Sequence, residues 1–308
     1  MTRNIALVAG LILLVACSSD DSPTAAADGI DRLEPPFWWT GFEHTELQLL
    51  VKGDDLAEYT PSVAAPGISV SRVERGDSPN YLFVYLDIAA ASPGEFDIVF
   101  ETDGERVART YELRAREAGR VGTYDSSDVM YLITPDRFAN GDPANDNVED
   151  YDDRLDREDD YGRHGGDIEG MRQHLDYIAD MGFTQIWVNP VLENAMQKSS
   201  YHGYATTDFY KVDPRFGSNE SYRAFVDEAR DKGIGIIKDL IVNHAGSGHW
   251  WMDDLPTTTW LNVPDTRSRS THARTTNQDP YASEYDKAGH ADGWFADTMP
   301  DLNQRDPL

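Results

Sequence analysis

From residue 30 to about 118, apolar and polar residues alternate in short runs. They are Glu46-Leu-Gln-Leu-Leu-Val51, Ile68-Ser-Val-Ser-Arg-Val73, Tyr81-Leu-Phe-Val-Tyr-Leu-Asp-Ile88, Phe96-Asp-Ile-Val-Phe100 and Val107-Ala-Arg-Thr-Tyr-Glu-Leu113, with Gly, Pro and Asn between them. A period of two between turn residues predicts strands, and several at this spacing predict a β-sandwich. After Gly119 the period changes. Val129–Ile133 and Thr184–Val188 read as strands. Ile168–Met181 carries apolar residues at helical spacing (Ile168, Met171, Leu175, Ile178, Ala179), as does Ser221–Lys232 (Tyr222, Phe225, Val226, Ala229), which Gly233 stops. Gly235-Ile-Ile-Lys-Asp-Leu-Ile-Val242 reads as a third strand, buried and parallel. Strand, helix, strand, helix, strand is a βαβαβ unit. Residues 245–308 show no clean period and are rich in Thr, Asp, Pro and His.

Charge narrows the partners. The 308 residues hold 55 Asp and Glu against 27 Lys and Arg, a net charge of −28. Phosphate binding needs a basic surface, so nucleic acid is excluded as a partner. Only six of the basic residues are lysines; an acidic, lysine-poor surface stays solvated when salt screens charge, which fits a salt-rich habitat or an ordinary extracellular one. The N-terminus is a targeting segment. Arg3 precedes an apolar core from Ile5 to Val15, too short to span a bilayer, which ends Leu14-Val-Ala-Cys17. That ending resembles the bacterial lipoprotein signal, in which Cys17 becomes a lipidated N-terminus; the alternative is a plain secretory signal. Cys17 is the only cysteine, so no internal disulfide can form. Residues 18–29 are then a tether, and Ser18-Ser-Asp-Asp21 resembles the acidic stretch that sends some lipoproteins to the outer surface.

Four places carry candidate chemistry. Asn140-Gly-Asp142-Pro-Ala-Asn145-Asp146 crowds four oxygen-bearing side chains into seven residues. Calcium wants six to eight hard oxygens from a curling loop, but the same residues also make Asx-turns. The run Asp146–Asp160 holds nine acids and, apart from Asp146, reads as a solvated loop. Tyr201-His-Gly-Tyr204 offers an aromatic face with hydrogen-bonding neighbours, as a sugar subsite requires, though a Tyr and His cluster in a loop more often serves surface packing. Asp239, Asn243 and His244 gather at the carboxyl end of the third strand, where α/β barrels place their chemistry. Trp38 and Trp39 can stack on sugar rings or pack against the next domain, and packing is the expectation.

These motifs, with His249-Trp-Trp251, Arg274-Thr-Thr276, Asp292-Gly-Trp-Phe295 and Met299-Pro-Asp-Leu-Asn303, resemble in order those of the α-amylase family of glycoside hydrolases. The branch they resemble is that of neopullulanases and cyclomaltodextrinases. The resemblance implies a multidomain chain: an immunoglobulin-like β-sandwich at 30–118, the first three βα units of a TIM barrel at 119–244, and a small domain inserted at 245–308. It implies calcium held by Asn140, Asp142, Asn145 and Asp146, by Asp167 and by the Gly165 carbonyl. His202, Tyr204 and His244 would bind the sugar. Asp239 and Asn243 would be architectural, with Asp301 beside Asn243, where some members hold a second calcium. The implied activity is retaining cleavage of α-1,4 and α-1,6 links in α-glucans. Retaining enzymes need two carboxyls about 5–5.5 Å apart. The family's stand on later strands, so the expectation is an inactive N-terminal fragment whose catalytic residues lie past Leu308. The implied partners are an α-glucan and, through the lipid, the bacterial outer membrane; a homodimer through the N-terminal domain is allowed. The rival reading is a lipid-anchored α-glucan-binding protein without catalysis.

Overall fold

The computed structural model describes residues 29–119, 121–263, 268–271, 278–291 and 293–308. The first part is a two-sheet sandwich. One sheet has the order β1 (Ile30–Glu34), β3 (Glu46–Gly53), β6 (Tyr81–Asp87), β5 (Ser69–Arg75), all antiparallel. The other runs β2 (Phe37–Trp39), β8 (Arg106–Arg114), β7 (Gly94–Glu101), β4 (Thr60–Val63), with only the β2–β8 pair parallel. The alternation in sequence becomes the core: Leu47, Leu49 and Val51 meet Leu82, Val84, Ile98, Phe100 and Tyr111 between the sheets.

Strand β6 is buried on both faces from Tyr81 to Leu86. Its outer residues Tyr81, Phe83 and Tyr85 form a second apolar cluster with Leu50, Trp250, Trp260 and Leu308. Tyr81 stacks on Trp250 at 6.3 Å, and Phe83 meets Trp260 at 6.0 Å. The Arg32 guanidinium lies 4.7 Å over Trp250 and donates to Asp208 at 3.0 Å. Asn80 donates to Asp254 at 2.8 Å, and the Tyr81 hydroxyl to the Asp254 carbonyl at 2.5 Å. A continuous seam therefore joins the sandwich to the segment after the third barrel strand. The expected use of Trp38 is corrected here: it packs on the sandwich's own core, with Phe42 and Trp39 as ring neighbours, and Trp250 and Trp260 make the contact between domains.

The second part is a three-stranded parallel sheet in the order β13 (Gly235–Lys238), β10 (Gln185–Val188), β9 (Met130–Ile133). A short hairpin, β11 (Leu192–Glu193) with β12 (Asp208–Val212), follows β10; the pattern of apolar residues does not predict it. Helices α1 (Ile168–Gln173), α2 (Leu175–Asp180) and α3 (Asn219–Asp231) cover one face of the sheet, burying Ile133, Ile186 and Val188 against Ile168, Met171, Ile178, Phe225 and Ala229. The helix expected over 168–181 breaks at His174: its imidazole Nδ1 bonds the Gly170 carbonyl at 2.7 Å, the acceptor that the His174 N–H would use in a continuous helix. Ser218 and Ser221 cap α3 reciprocally.

The third strand is shorter than its apolar run. Pairing with β10 covers Gly235–Lys238, the Asp239 N–H to the Val188 carbonyl (3.2 Å) is the last bond, and Leu240 and Val242 are 55% and 64% exposed. Its neighbour ends level with it, Val188 opposite Lys238, and among the described residues no strand lies on its other side. Past it, the elements among the described residues are a short 3-10 helix (Trp250–Met252) and α4 (Glu284–Ala291). No described helix is long and apolar enough to cross a membrane.

Candidate functional site

The site is built at the carboxyl ends of the three parallel strands. Asp239 follows β13 directly. Its Oδ2 accepts the Tyr204 hydroxyl at 3.1 Å and the Trp187 indole N–H, from β10, at 3.2 Å. Tyr204 comes from the loop after β10. Gly203 turns that loop with φ +78°, and a Cβ there would stand 1.9 Å from the Pro190 carbonyl oxygen, so only glycine fits. The Tyr204 N–H donates to His202 Nδ1 at 2.9 Å, and the Tyr204 carbonyl is 3.0 Å from His244 Nε2. His202, Tyr204, His244 and Asp239 thus form one cluster.

Burial sets its protonation. Desolvation pulls His202 below the usual histidine range, nearby His244 adds to this, and Asp153 opposes it. Desolvation likewise lowers His244, against the Tyr204 carbonyl and Asp301. Both rings are neutral at neutral pH. Because His202 Nδ1 accepts a backbone N–H, the proton of the neutral ring sits on Nε2, leaving that nitrogen a donor. Burial and then Asp239 raise the Tyr204 phenol, keeping it protonated. His244 is more enclosed than expected for a sugar ligand: it is 7% exposed, Nε2 is used by Tyr204, and Asn243 Nδ2 lies 3.3 Å from Nδ1. Phe295 stacks on it at 5.9 Å.

Asn243 and Asp301 also meet. Asp301 is buried and accepts Asn243 Nδ2 at 3.1 Å, Asn262 Nδ2 at 2.7 Å and the Gly293 N–H at 3.2 Å, while residues 243–245 bridge 300–302. Asp136, after β9, is 2% exposed and holds the His164 N–H at 2.9 Å and Arg137 Nε at 3.1 Å. These carboxylates are tied to fixed donors.

The acidic run is only partly solvated. Asp152 and Asp156–Asp160 are exposed, but Tyr151, Asp153 and Leu155 turn inward. Asp153 Oδ2 accepts both the N–H and the hydroxyl of Ser200, at 2.7 and 2.8 Å, which clamps the loop carrying His202. Its carbonyl takes Arg215 Nη1 at 3.0 Å, and Arg215 forms a fully buried pair with Asp213 at 2.7 Å.

The residues proposed for calcium converge. Asn140 Nδ2 donates to Asp146 Oδ1 at 2.7 Å, and both lie against Gly165, whose φ is +86° and whose added Cβ would stand 2.4 Å from that oxygen. Asn140 Oδ1 and Asn145 Oδ1 are buried without a hydrogen-bond partner. Two orphaned amide oxygens beside a carboxylate suit a hard cation. Asp142 and Asp167 do other work as well. Asp142 caps the Ala144 N–H, and Asp167 caps α1, its two oxygens taking the N–H groups of Gly141, Asp142 and Gly170 and the Asn145 amide. Among the described residues no three His, Cys, Asp or Glu side chains form a metal cage, so the fit depends on amide and carbonyl oxygens. Cys17, Arg274-Thr-Thr276 and Asp292 lie outside the described residues.

Residues 132–305 match the model of the α-amylase catalytic domain. The chain belongs to the α-amylase family. Residues 32–117 match the cyclomaltodextrinase N-terminal domain, the region of the sandwich. Among relatives, a β/α-amylase of Paenibacillus polymyxa is 46% identical over 123 residues, 39% of this chain and 10% of that protein. Neopullulanase 2 of Thermoactinomyces vulgaris is 40% identical over 130 residues, 41% and 21% of the two chains. The crystal structure of an Anoxybacillus α-amylase shares 34% identity with a TM-score of 0.48, covering 58% of this chain and 35% of that one. The matched region of this α-amylase-family chain therefore spans a tenth to a fifth of the two relatives' lengths.

Trp187, Asp153 and Phe295 join the site without having been singled out individually from sequence. The available signal was in β10, where Ile186 and Val188 face the helices and Trp187, between them, must face the opposite way.

Proposed function

We propose that this chain supplies the sugar-binding side of an α-glucan hydrolase acting with retention on α-1,4 and α-1,6 links. The observation that carries the reading is the cluster of Tyr204, His202 and His244 around Asp239 at the carboxyl ends of parallel strands, inside the region matched by the catalytic domain. Tyr204 offers the ring face, His202 Nε2–H donates to a hydroxyl, and Asp239 fixes the phenol. His244 orients Tyr204 through its carbonyl. Contact between His244 and a hydroxymethyl group would require Nδ1 to leave Asn243. Asp136, Asp239 and Asp301, each bound by fixed donors, are assigned architectural work.

Calcium fits the loop, with Asn140, Asn145, Asp146 and the Gly165 carbonyl as the leading ligands and Asp142 and Asp167 beside them. The ion would neutralise Asp146 and tie the loop after β9 to the start of α1. Lipidation at Cys17 and residence in the outer cell envelope belong to the same proposal; the support is the sequence Leu14-Val-Ala-Cys17 after an apolar core.

Calorimetric titration of the chain with maltotetraose tests the sugar site. Wild type should bind saturably, and Tyr204→Ala should weaken binding by roughly three- to tenfold or more, as expected for losing one aromatic face. Equal affinity in the two proteins would remove Tyr204 from the site, and no saturable binding by wild type would remove the reading.

A further inference from the structure

Trp187 stands in the middle of β10, hydrogen-bonded through its strand to β9 on one side and β13 on the other. Its side chain points away from the helices, and the residue is 40% exposed. The indole N–H nonetheless reaches the Asp239 oxygen that also accepts the Tyr204 hydroxyl, at 3.2 and 3.1 Å. Tyr204 in turn holds His202 through its N–H and His244 through its carbonyl. One carboxylate oxygen therefore links a rigid strand to the loop that carries the ring face.

We propose that Trp187 is a positioning residue for the sugar-binding cluster, locking the Asp239 carboxylate so that it holds the Tyr204 ring in place. The assignment rests on the sugar-site reading above. The physical reason is rotational. A carboxylate with one partner turns about its Cβ–Cγ bond and lets that partner move. A second donor fixed in a strand removes that freedom, and bonds to a charged acceptor are the stronger ones. Asp239 is anchored on the same strand by its backbone, through the Val188 carbonyl. Tyr204 follows a glycine turn and has no strand ladder of its own.

Two double-mutant cycles on the full chain, read as maltotetraose affinity, separate positioning from general packing. Trp187→Phe keeps an aromatic ring and removes the N–H. It should weaken binding roughly three- to tenfold, as for losing one hydrogen bond of ordinary net strength. In a Tyr204→Phe or Asp239→Ala background, where the link is already cut, the same change should cost nothing further. Losses that multiply, or a Trp187→Phe protein that binds like wild type while Tyr204→Ala does not, would overturn the role of Trp187 and leave the sugar site standing. Failure of wild type to bind maltotetraose would overturn both. A second measurement needs no tryptophan variant: the Trp187 indole N–H resonance should move in Asp239→Ala, and an unmoved resonance refutes the link.

Discussion

Glu34 makes stability at the domain seam depend on pH in a way that can be worked out in advance. It ends β1, and its Oε1 accepts Arg32 Nη1 at 3.1 Å; the same nitrogen serves Asp208 at 3.0 Å. Two carboxylates share one guanidinium, with Tyr81, Tyr210 and His249 among the titratable groups around them. The Glu34 side chain is 13% exposed. Burial pushes its carboxyl up to about 7 from 4.5, Arg32 opposes this, and Asp208 reinforces it. The folded chain thus holds the proton more tightly than the unfolded chain. The contribution is fully present below pH 4.5 and is lost as pH rises to about 7. A tenfold difference in proton affinity between the folded and unfolded chains corresponds to about 1.4 kcal/mol, so the loss across that window is about 3 kcal/mol. His249 acts with the opposite sign: burial, then Arg32, lowers it to about 3 from 6.5, so it destabilises the fold as pH falls below 6.5. The raw pH profile mixes the two, and the difference between wild type and Glu34→Gln isolates the first. Urea unfolding, followed by tryptophan fluorescence, should show wild type losing about 2–3 kcal/mol more than Glu34→Gln between pH 5 and pH 8. Parallel pH dependences, within about 0.5 kcal/mol, would refute the argument.

Calcium at about a hundred times its dissociation constant should add about 2.7 kcal/mol to wild-type stability, read as a rise in melting temperature over the chelator-treated protein. Asn140→Ala removes a buried unpartnered oxygen and should abolish most of that rise; an equal rise in both proteins would take Asn140 out of the site. Cys17→Ser, expressed in a bacterial host, should leave the membrane fraction for the soluble one or accumulate as precursor, and a variant that sediments with membranes like wild type would rule out Cys17 as the anchor.

What could be read from the chain was local, and what could not depended on distant neighbours. Strands β3, β5, β7 and β8 were legible because alternation is a property of adjacent residues, and β6 because its apolar residues sit together between turn residues. Strand β4 was not: Pro61 interrupts Thr60–Val63, and only its edge position, paired to β7 alone, accommodates it. In β6 the continuous run Tyr81-Leu-Phe-Val-Tyr-Leu86 already implies burial on both faces, but its cover, Trp250 and Trp260, lies far along the sequence. The same holds for Arg32 and Asp208, which are 176 positions apart. The cluster at the carboxyl ends of the strands was legible as a set of motifs, since Tyr204, His202, Asp239 and His244 each sit in a recognisable string. Trp187 was not, because its role lies in a bond from one strand to the end of the next. The third strand separates the two kinds of information most sharply. Gly235–Val242 is apolar almost throughout, yet only four residues pair: β10 and β13 end level at Val188 and Lys238, and among the described residues no strand lies on the other side of β13. An apolar run reports how much surface a segment seeks to bury; the length of its ladder depends on where neighbouring strands run beside it, and no property of the run itself encodes that.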